Sequence, residues 1–182
     1  SPENIISTVK TPTIEATNEL MKCNEVAIII ATGGPGMVKA AYSAGKPALG
    51  VGAGNSPAYI EKTANIEKAV RNIMASKTFD NGTICASEQS IICEECNHDE
   101  VVAEFKKQGG YFMTEEETDK VCKILFKNGH TMNAKFVGRS PQVIACSAGI
   151  SIPQGTKVLI GKQNGVGGTN LLSYEKLTTV LG

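Results

Sequence analysis

Val26-Ala27-Ile28-Ile29-Ile30-Ala31-Thr32-Gly33-Gly34-Pro35-Gly36-Met37-Val38-Lys39-Ala40-Ala41-Tyr42-Ser43 is the stretch from which the fold can be read. Its first six residues form the longest apolar run in the chain, and they are rich in β-branched side chains. Such a run has strand length and suits a strand buried on both faces. Thr32 to Gly36 reads as a tight turn, and a helix is predicted from Met37 to Ser43 with Gly45 just past its end. Pro47 to Val51 reads as a second strand. A strand, a helix and another strand at this spacing point to a parallel sheet and an α/β fold. Upstream, a helix is predicted from Pro12 to about Asn24, with Thr11 as N-cap and the proline at the first position.

Downstream the character changes after the glycine-rich Gly50-Val51-Gly52-Ala53-Gly54-Asn55, so a domain boundary is expected near residues 50–55. Ile66, Ala69, Val70, Ile73 and Met74 fall on one helical face. Gln89 to Cys93 reads as a strand, Asp99 to Gln108 and Glu115 to Lys127 as helices, Lys157 to Ile160 as a strand, and Leu177 to Leu181 as a last strand. Gly165-Val166-Gly167-Gly168 reads as a flexible loop.

Composition narrows the classes of function. Lysine plus arginine and aspartate plus glutamate stand at 18 each in 182 residues, so no basic field points to nucleic acid and no polybasic tail to a membrane. No apolar run approaches the roughly 20 residues of a membrane-spanning helix. Six scattered cysteines do not make a disulfide scaffold and fit a reducing, cytoplasmic setting. Ser1-Pro2 opens the chain without an initiator methionine, and Gly182 closes it straight after a strand-like segment, so a fragment is expected.

Candidate chemistry concentrates at Cys85, which follows the turn signal Asn81-Gly82 and precedes the polar Ala86-Ser87-Glu88-Gln89-Ser90. A cysteine at a helix start or in a nest of backbone amides is stabilised as thiolate, and those amides can hold an oxyanion. The same residue also reads as a small buried hydrophobe. Thr32-Gly33-Gly34-Pro35-Gly36 can offer amides to a phosphate, or can simply be a tight connection. It is neither a Walker loop nor a G-x-G-x-x-G fingerprint. Cys93-Glu94-Glu95-Cys96-Asn97-His98 holds one C-x-x-C where structural zinc needs two, so no metal site is expected. His98 and His130 lack a triad partner, which leaves a cysteine–histidine hydrolase without support.

The chain resembles the CoA-acylating aldehyde dehydrogenases. The resemblance rests on Ala31 to Ser43, on Gly45 to Asn55, on Ser76-Lys77-Thr78-Phe79-Asp80-Asn81-Gly82-Thr83-Ile84-Cys85-Ala86-Ser87-Glu88-Gln89-Ser90, and on Ser173-Tyr174-Glu175-Lys176-Leu177. It implies an aldehyde dehydrogenase-like α/β fold. Residues 1–54 would be the end of a Rossmann-type nucleotide-binding domain, and 55–182 a catalytic domain cut after the Glu-Lys-Leu segment. By position, Cys85 matches the nucleophile, and Thr32, Gly33 and Gly34 match the turn on the dinucleotide pyrophosphate. Glu175 matches a glutamate that binds the nicotinamide ribose. The implied cofactor is NAD or NADP, with coenzyme A and a small aldehyde as substrates and a homo-oligomeric parent.

One departure sharpens the expectation. Hydrolytic relatives carry a water-activating glutamate in the segment that resembles Gly50 to Asn55, and the matching residue here is Val51, which cannot accept a proton. The thioester on Cys85 would then be resolved by CoA instead of water. The resemblance also leaves family elements outside the chain, among them the asparagine oxyanion donor, so the isolated chain is expected to be nearly inactive. A hydrolytic dehydrogenase and an inactive nucleotide-binding scaffold are the alternative readings.

Overall fold

The computed structural model describes residues 2–182. They form two compact units, one running through Ala53 and the other comprising Gly54–Gly182.

The first unit holds helix α1 (Ile14–Lys22), strand β1 (Ile29–Thr32), helix α2 (Pro35–Tyr42) and strand β2 (Ala48–Val51). The two strands pair in parallel, Ile29 with Ala48 through Thr32 with Val51. α1 begins two residues later than the sequence predicts. The N-cap is Thr13, whose hydroxyl accepts the Ala16 amide at 3.0 Å, so Pro12 lies outside the helix. β1 is also shorter than predicted and buries one face instead of two: Ile29 and Ala31 point inward, whereas Ile30 is 74% exposed. Within this unit a single crossover helix, α2, covers one side of the strand pair. Gly50 explains how α2 lies so close to β2, since a Cβ there would sit 2.6 Å from Val38 Cγ1 and 2.8 Å from Tyr42 Cε2.

The second unit carries β3 (Ser56–Ile60), α3 (Ile66–Thr78), β4 (Glu88–Cys93), α4 (His98–Lys107), β5 (Gly110–Phe112), α5 (Glu115–Leu125), the short strands β6 (Phe126–Lys127) and β7 (Thr131–Met132), α6 (Pro141–Ala148), β8 (Val158–Ile160) and β9 (Val180–Leu181). β3 pairs with β4, and β8 lies between β5 and β9, all in parallel. Two backbone hydrogen bonds, Ile91 N to Gly182 O and Gly182 N to Gln89 O, link β4 to the end of β9.

Alternation along these strands sorts two cores onto opposite faces. Val158, Ile160 and Leu181 pack with Ile66, Val70, Ile73, Val101 and Phe105 of α3 and α4. Leu159 and Val180 pack with Val121, Leu125 and Ile144 of α5 and α6. A parallel sheet covered by helices on both faces is the arrangement such connections produce.

Several elements depart from the sequence reading. β3 contains Pro57, which masks it as a strand. β5 is only three residues long. α6 is a helix not predicted from the sequence, although Ser140 caps it, Pro141 opens it and the left-handed Gly149 ends it. α5 stops at Leu125 because Phe126 and Lys127 turn into an antiparallel hairpin through the left-handed Asn128 and Gly129. Among the described residues no helix is long and apolar enough to cross a membrane.

Candidate functional site

Cys85 owes its position to the segment between α3 and β4. α3 ends at Thr78, and Asp80, Asn81 and Gly82 then take left-handed conformations with φ of 46°, 50° and 74°. Aspartate, asparagine and glycine are the residues that tolerate this region best. The Thr83 hydroxyl donates to Asp80 Oδ2 at 2.7 Å, and Asn81 Nδ2 donates to Gly138 O at 3.1 Å. A Cβ at Gly82 would lie 2.6 Å from Thr178 O. Cys85 follows on an exposed turn closed by Ser87 N donating to Ile84 O at 3.0 Å. The thiol therefore stands on a turn that leads into a strand and not at a helix start. Among the described residues, the amides of Ile84, Cys85 and Ala86 donate to no group of the protein.

Glu175 meets this turn at Gly54. The Gly54 amide donates to Glu175 Oε1 at 2.9 Å, and a Cβ on Gly54 would stand 3.0 Å from Cys85 O and 3.7 Å from Glu175 Oε1. A side chain on Gly54 would push the Cys85 carbonyl away by a few tenths of an ångström, so glycine suits this close approach. Asn55 fastens the same place, its Nδ2 donating to Ser173 O at 2.6 Å. The ring of Tyr174 stacks on His130 with centroids 4.7 Å apart.

Thr32, Gly33 and Gly34 lie in the first unit, at the end of β1 and the cap of α2. Gly33 spends its amide on Val51 O at 3.0 Å, so of the three it offers no free donor. Gly34 is the N-cap of α2, has no side-chain cap, and has nothing within 4 Å of a Cβ position; the same space is open at Gly36. Val51 ends β2 and is exposed.

The other cysteines stand in different surroundings. Burial pushes the Cys122 thiol up to about 11, and burial likewise raises that of Cys93 at the end of β4. Among the described residues no group of three His, Cys, Asp or Glu side chains is placed to hold a metal ion.

Sequence reasoning missed the polar groups beneath Cys85 and Glu175. Lys77 and Lys176 are both fully buried, as is Gln89. Lys77 Nζ donates to Lys176 O at 3.1 Å, and Gln89 Oε1 accepts the Lys176 amide at 2.7 Å. Lys176 Nζ donates to Tyr174 O at 2.9 Å and also to Leu172 O. Desolvation draws the Lys77 ammonium down to about 7 against the attraction of Glu88 and Glu175. Desolvation, helped by the Lys77 charge, holds Lys176 well below the usual lysine range. A signal was present in the sequence: Lys77 continues the apolar face Val70, Ile73, Met74 at helical spacing, and a lysine on a buried face is rarely without a polar partner.

Comparison with known proteins places the chain among aldehyde dehydrogenases. The family model described as aldehyde dehydrogenase family matches residues 1–124. The aldehyde-alcohol dehydrogenase of Clostridium acetobutylicum is 47% identical over all of this chain, which spans 21% of that protein. The acetylating succinate-semialdehyde dehydrogenase of Clostridium kluyveri is 46% identical over the whole chain, which spans 40% of it. The crystal structure of an acetylating aldehyde dehydrogenase from Geobacillus thermoglucosidasius superposes with a TM-score of 0.93 at 54% identity, covering 99% of this chain and 40% of that one. By the extent of the family match and by its aldehyde dehydrogenase-like α/β fold, the chain belongs to the aldehyde dehydrogenase family.

Proposed function

We propose that these residues form the thiol side of a site that oxidises an aldehyde to an acyl-CoA, with NAD or NADP as acceptor. In this reading residues 1–54 end the nucleotide-binding domain and 55–182 belong to the catalytic domain. The observation that carries it is the meeting of the exposed Cys85 turn and the Glu175 carboxylate at Gly54.

The residues present suit a dinucleotide. The open end of α2 at Gly34 and Gly36 leaves room and backbone donors for a pyrophosphate. Glu175 Oε2 accepts no hydrogen bond among the described residues, which leaves it for ribose hydroxyls. When bound, NAD or NADP supplies the hydride acceptor.

The chain's own groups account for the rest. Cys85 Sγ, as thiolate, attacks the aldehyde carbon and forms a C–S bond, and the unspent amides at Ile84 to Ala86 are donors for the oxygen that gains charge. Loss of hydride from that carbon leaves a thioester on Cys85. Val51 stands where hydrolytic relatives have their general base, so water is not activated there. The thiolate of CoA attacks the acyl carbon, the bond to Cys85 Sγ breaks, and Cys85 leaves as thiolate. One thioester replaces another of similar energy, so the sequence runs in both directions. Cytoplasmic location and assembly with further copies of the same chain accompany this reading.

The test is turnover of the full-length polypeptide with a short aldehyde, NAD or NADP, and CoA. Acyl-CoA should form in equal amount to reduced cofactor, and Cys85→Ala should lower the rate by at least about a thousandfold. Release of free acid with no need for CoA would contradict the acylating reading, and an active Cys85→Ala variant would contradict the role of the cysteine.

A further inference from the structure

Lys77 stands eight residues before Cys85 and Gln89 four residues after it, and they hold the two successive peptide units that flank Lys176. Gln89 Oε1 accepts the amide of Lys176, and Lys77 Nζ donates to its carbonyl. The residue before it is Glu175, whose own carboxylate is held by Gly54. Lys176 adds a third tie by turning its ammonium back onto Tyr174 O and Leu172 O. The helix and strand that flank the Cys85 turn therefore grip the Glu175 segment from both sides.

Packing alone does not account for these residues. All three side chains are fully buried. Lysine is among the residues least often buried in full, and an apolar residue of similar size ordinarily costs less at such a place. Among the described residues neither lysine has a carboxylate within 4.0 Å. The charged groups around Lys77 are Glu88 and Glu175, which attract it, and Lys176. Glu88 Oε2 is itself buried with no hydrogen-bond partner. What the lysine and the glutamine achieve is geometric: they fix the backbone on both sides of Lys176, Gln89 at its amide and Lys77 at its carbonyl.

We infer that Lys77 and Gln89 are positioning residues, a clamp that sets the Glu175 carboxylate at a fixed register against Cys85 and so governs how the nicotinamide dinucleotide is held. The inference rests on the proposed function, since it takes Glu175 as a cofactor ligand. It adds residues that touch neither cofactor nor substrate and act through Glu175 alone.

The experiment uses the full-length polypeptide and titrates NADH by its fluorescence alongside turnover. Lys77→Met and Gln89→Met should each raise the NADH Kd and the KM for the oxidised cofactor about tenfold, the scale of one lost positioned hydrogen bond. The kcat at saturating cofactor should stay within about threefold, because the Cys85 turn keeps its own ties. Gln89→Met supplies the measurement if Lys77→Met does not fold. The sharper arm is the double variant: Lys77→Met added to Glu175→Gln should change the Kd little beyond Glu175→Gln alone, and likewise for Gln89→Met. Unchanged Kd in the single variants, or independent effects in the doubles, would overturn the clamp. If the wild-type protein binds NADH but makes no acyl-CoA, the functional reading fails and the clamp is still judged on the Kd. If it binds no NADH, both fail.

Discussion

The turn between β1 and α2 and the turn between α3 and β4 both carry proposed site residues, but they are built differently. In the first, Gly33 makes one bond to Val51 and Gly34 stands with nothing near its Cβ position. In the second, three successive left-handed residues are tied to Gly138, to Thr83 and against Thr178. Glycine serves opposite needs in the two places. At Gly34 its missing side chain leaves space beside the chain, whereas at Gly82 the fold itself fills that space. The first turn is open at Gly34. The second is closed so that the cysteine three residues later is held in one place.

Alanine substitution separates the two. Gly82→Ala combines a positive φ with a backbone collision and should lower the unfolding free energy by at least about 2 kcal/mol, read as a fall in denaturant midpoint at constant m-value. Gly34→Ala meets no atom of the fold and should shift stability by less than about 1 kcal/mol, while weakening dinucleotide binding. Equal losses of stability would erase the distinction.

A smaller effect probes what lies under the closed turn. Lys77 titrates near 7 in the folded protein and at about 10.4 when unfolded. Between those values the unfolded chain binds more protons, so stability rises with pH across that window and is lowest, for this group, below pH 7. One such lysine contributes a slope of up to about 1.4 kcal/mol per pH unit. Lys176 acts in the same sense. Unfolding free energies of Lys77→Met measured between pH 7 and 9 should rise less steeply than wild type. An identical slope would mean that Lys77 carries its proton in the fold as readily as in water.

The same contrast shows what the amino-acid sequence reveals. The strand–turn–helix–strand from Val26 to Val51 was legible because each element there is encoded locally, in a β-branched run, a glycine turn and an amphipathic helix. The Cys85 segment was legible as a turn at Asn81-Gly82, and its meeting with Glu175 was not, because residues 54, 85 and 175 are joined by the tertiary fold alone. Burial on both faces of β1 was read from composition, which reports apolarity but not what covers it. β3 was hidden by Pro57. α6 carries its cap, its proline and its terminal glycine in the sequence, but its eight residues are too few to show a clear helical periodicity. The role of Lys77 is invisible in the sequence, since its partner is a carbonyl 99 residues away.

In the proposed reaction Cys85 carries the acyl group and waits for CoA. It is tested most directly by treating the full-length polypeptide with aldehyde and NAD or NADP in the absence of CoA, then weighing its cysteine peptides. An acyl adduct on the peptide containing Cys85, lost on adding CoA with release of acyl-CoA, is the expected result. An adduct on another cysteine, or one on Cys85 that water clears as fast as CoA does, would contradict it.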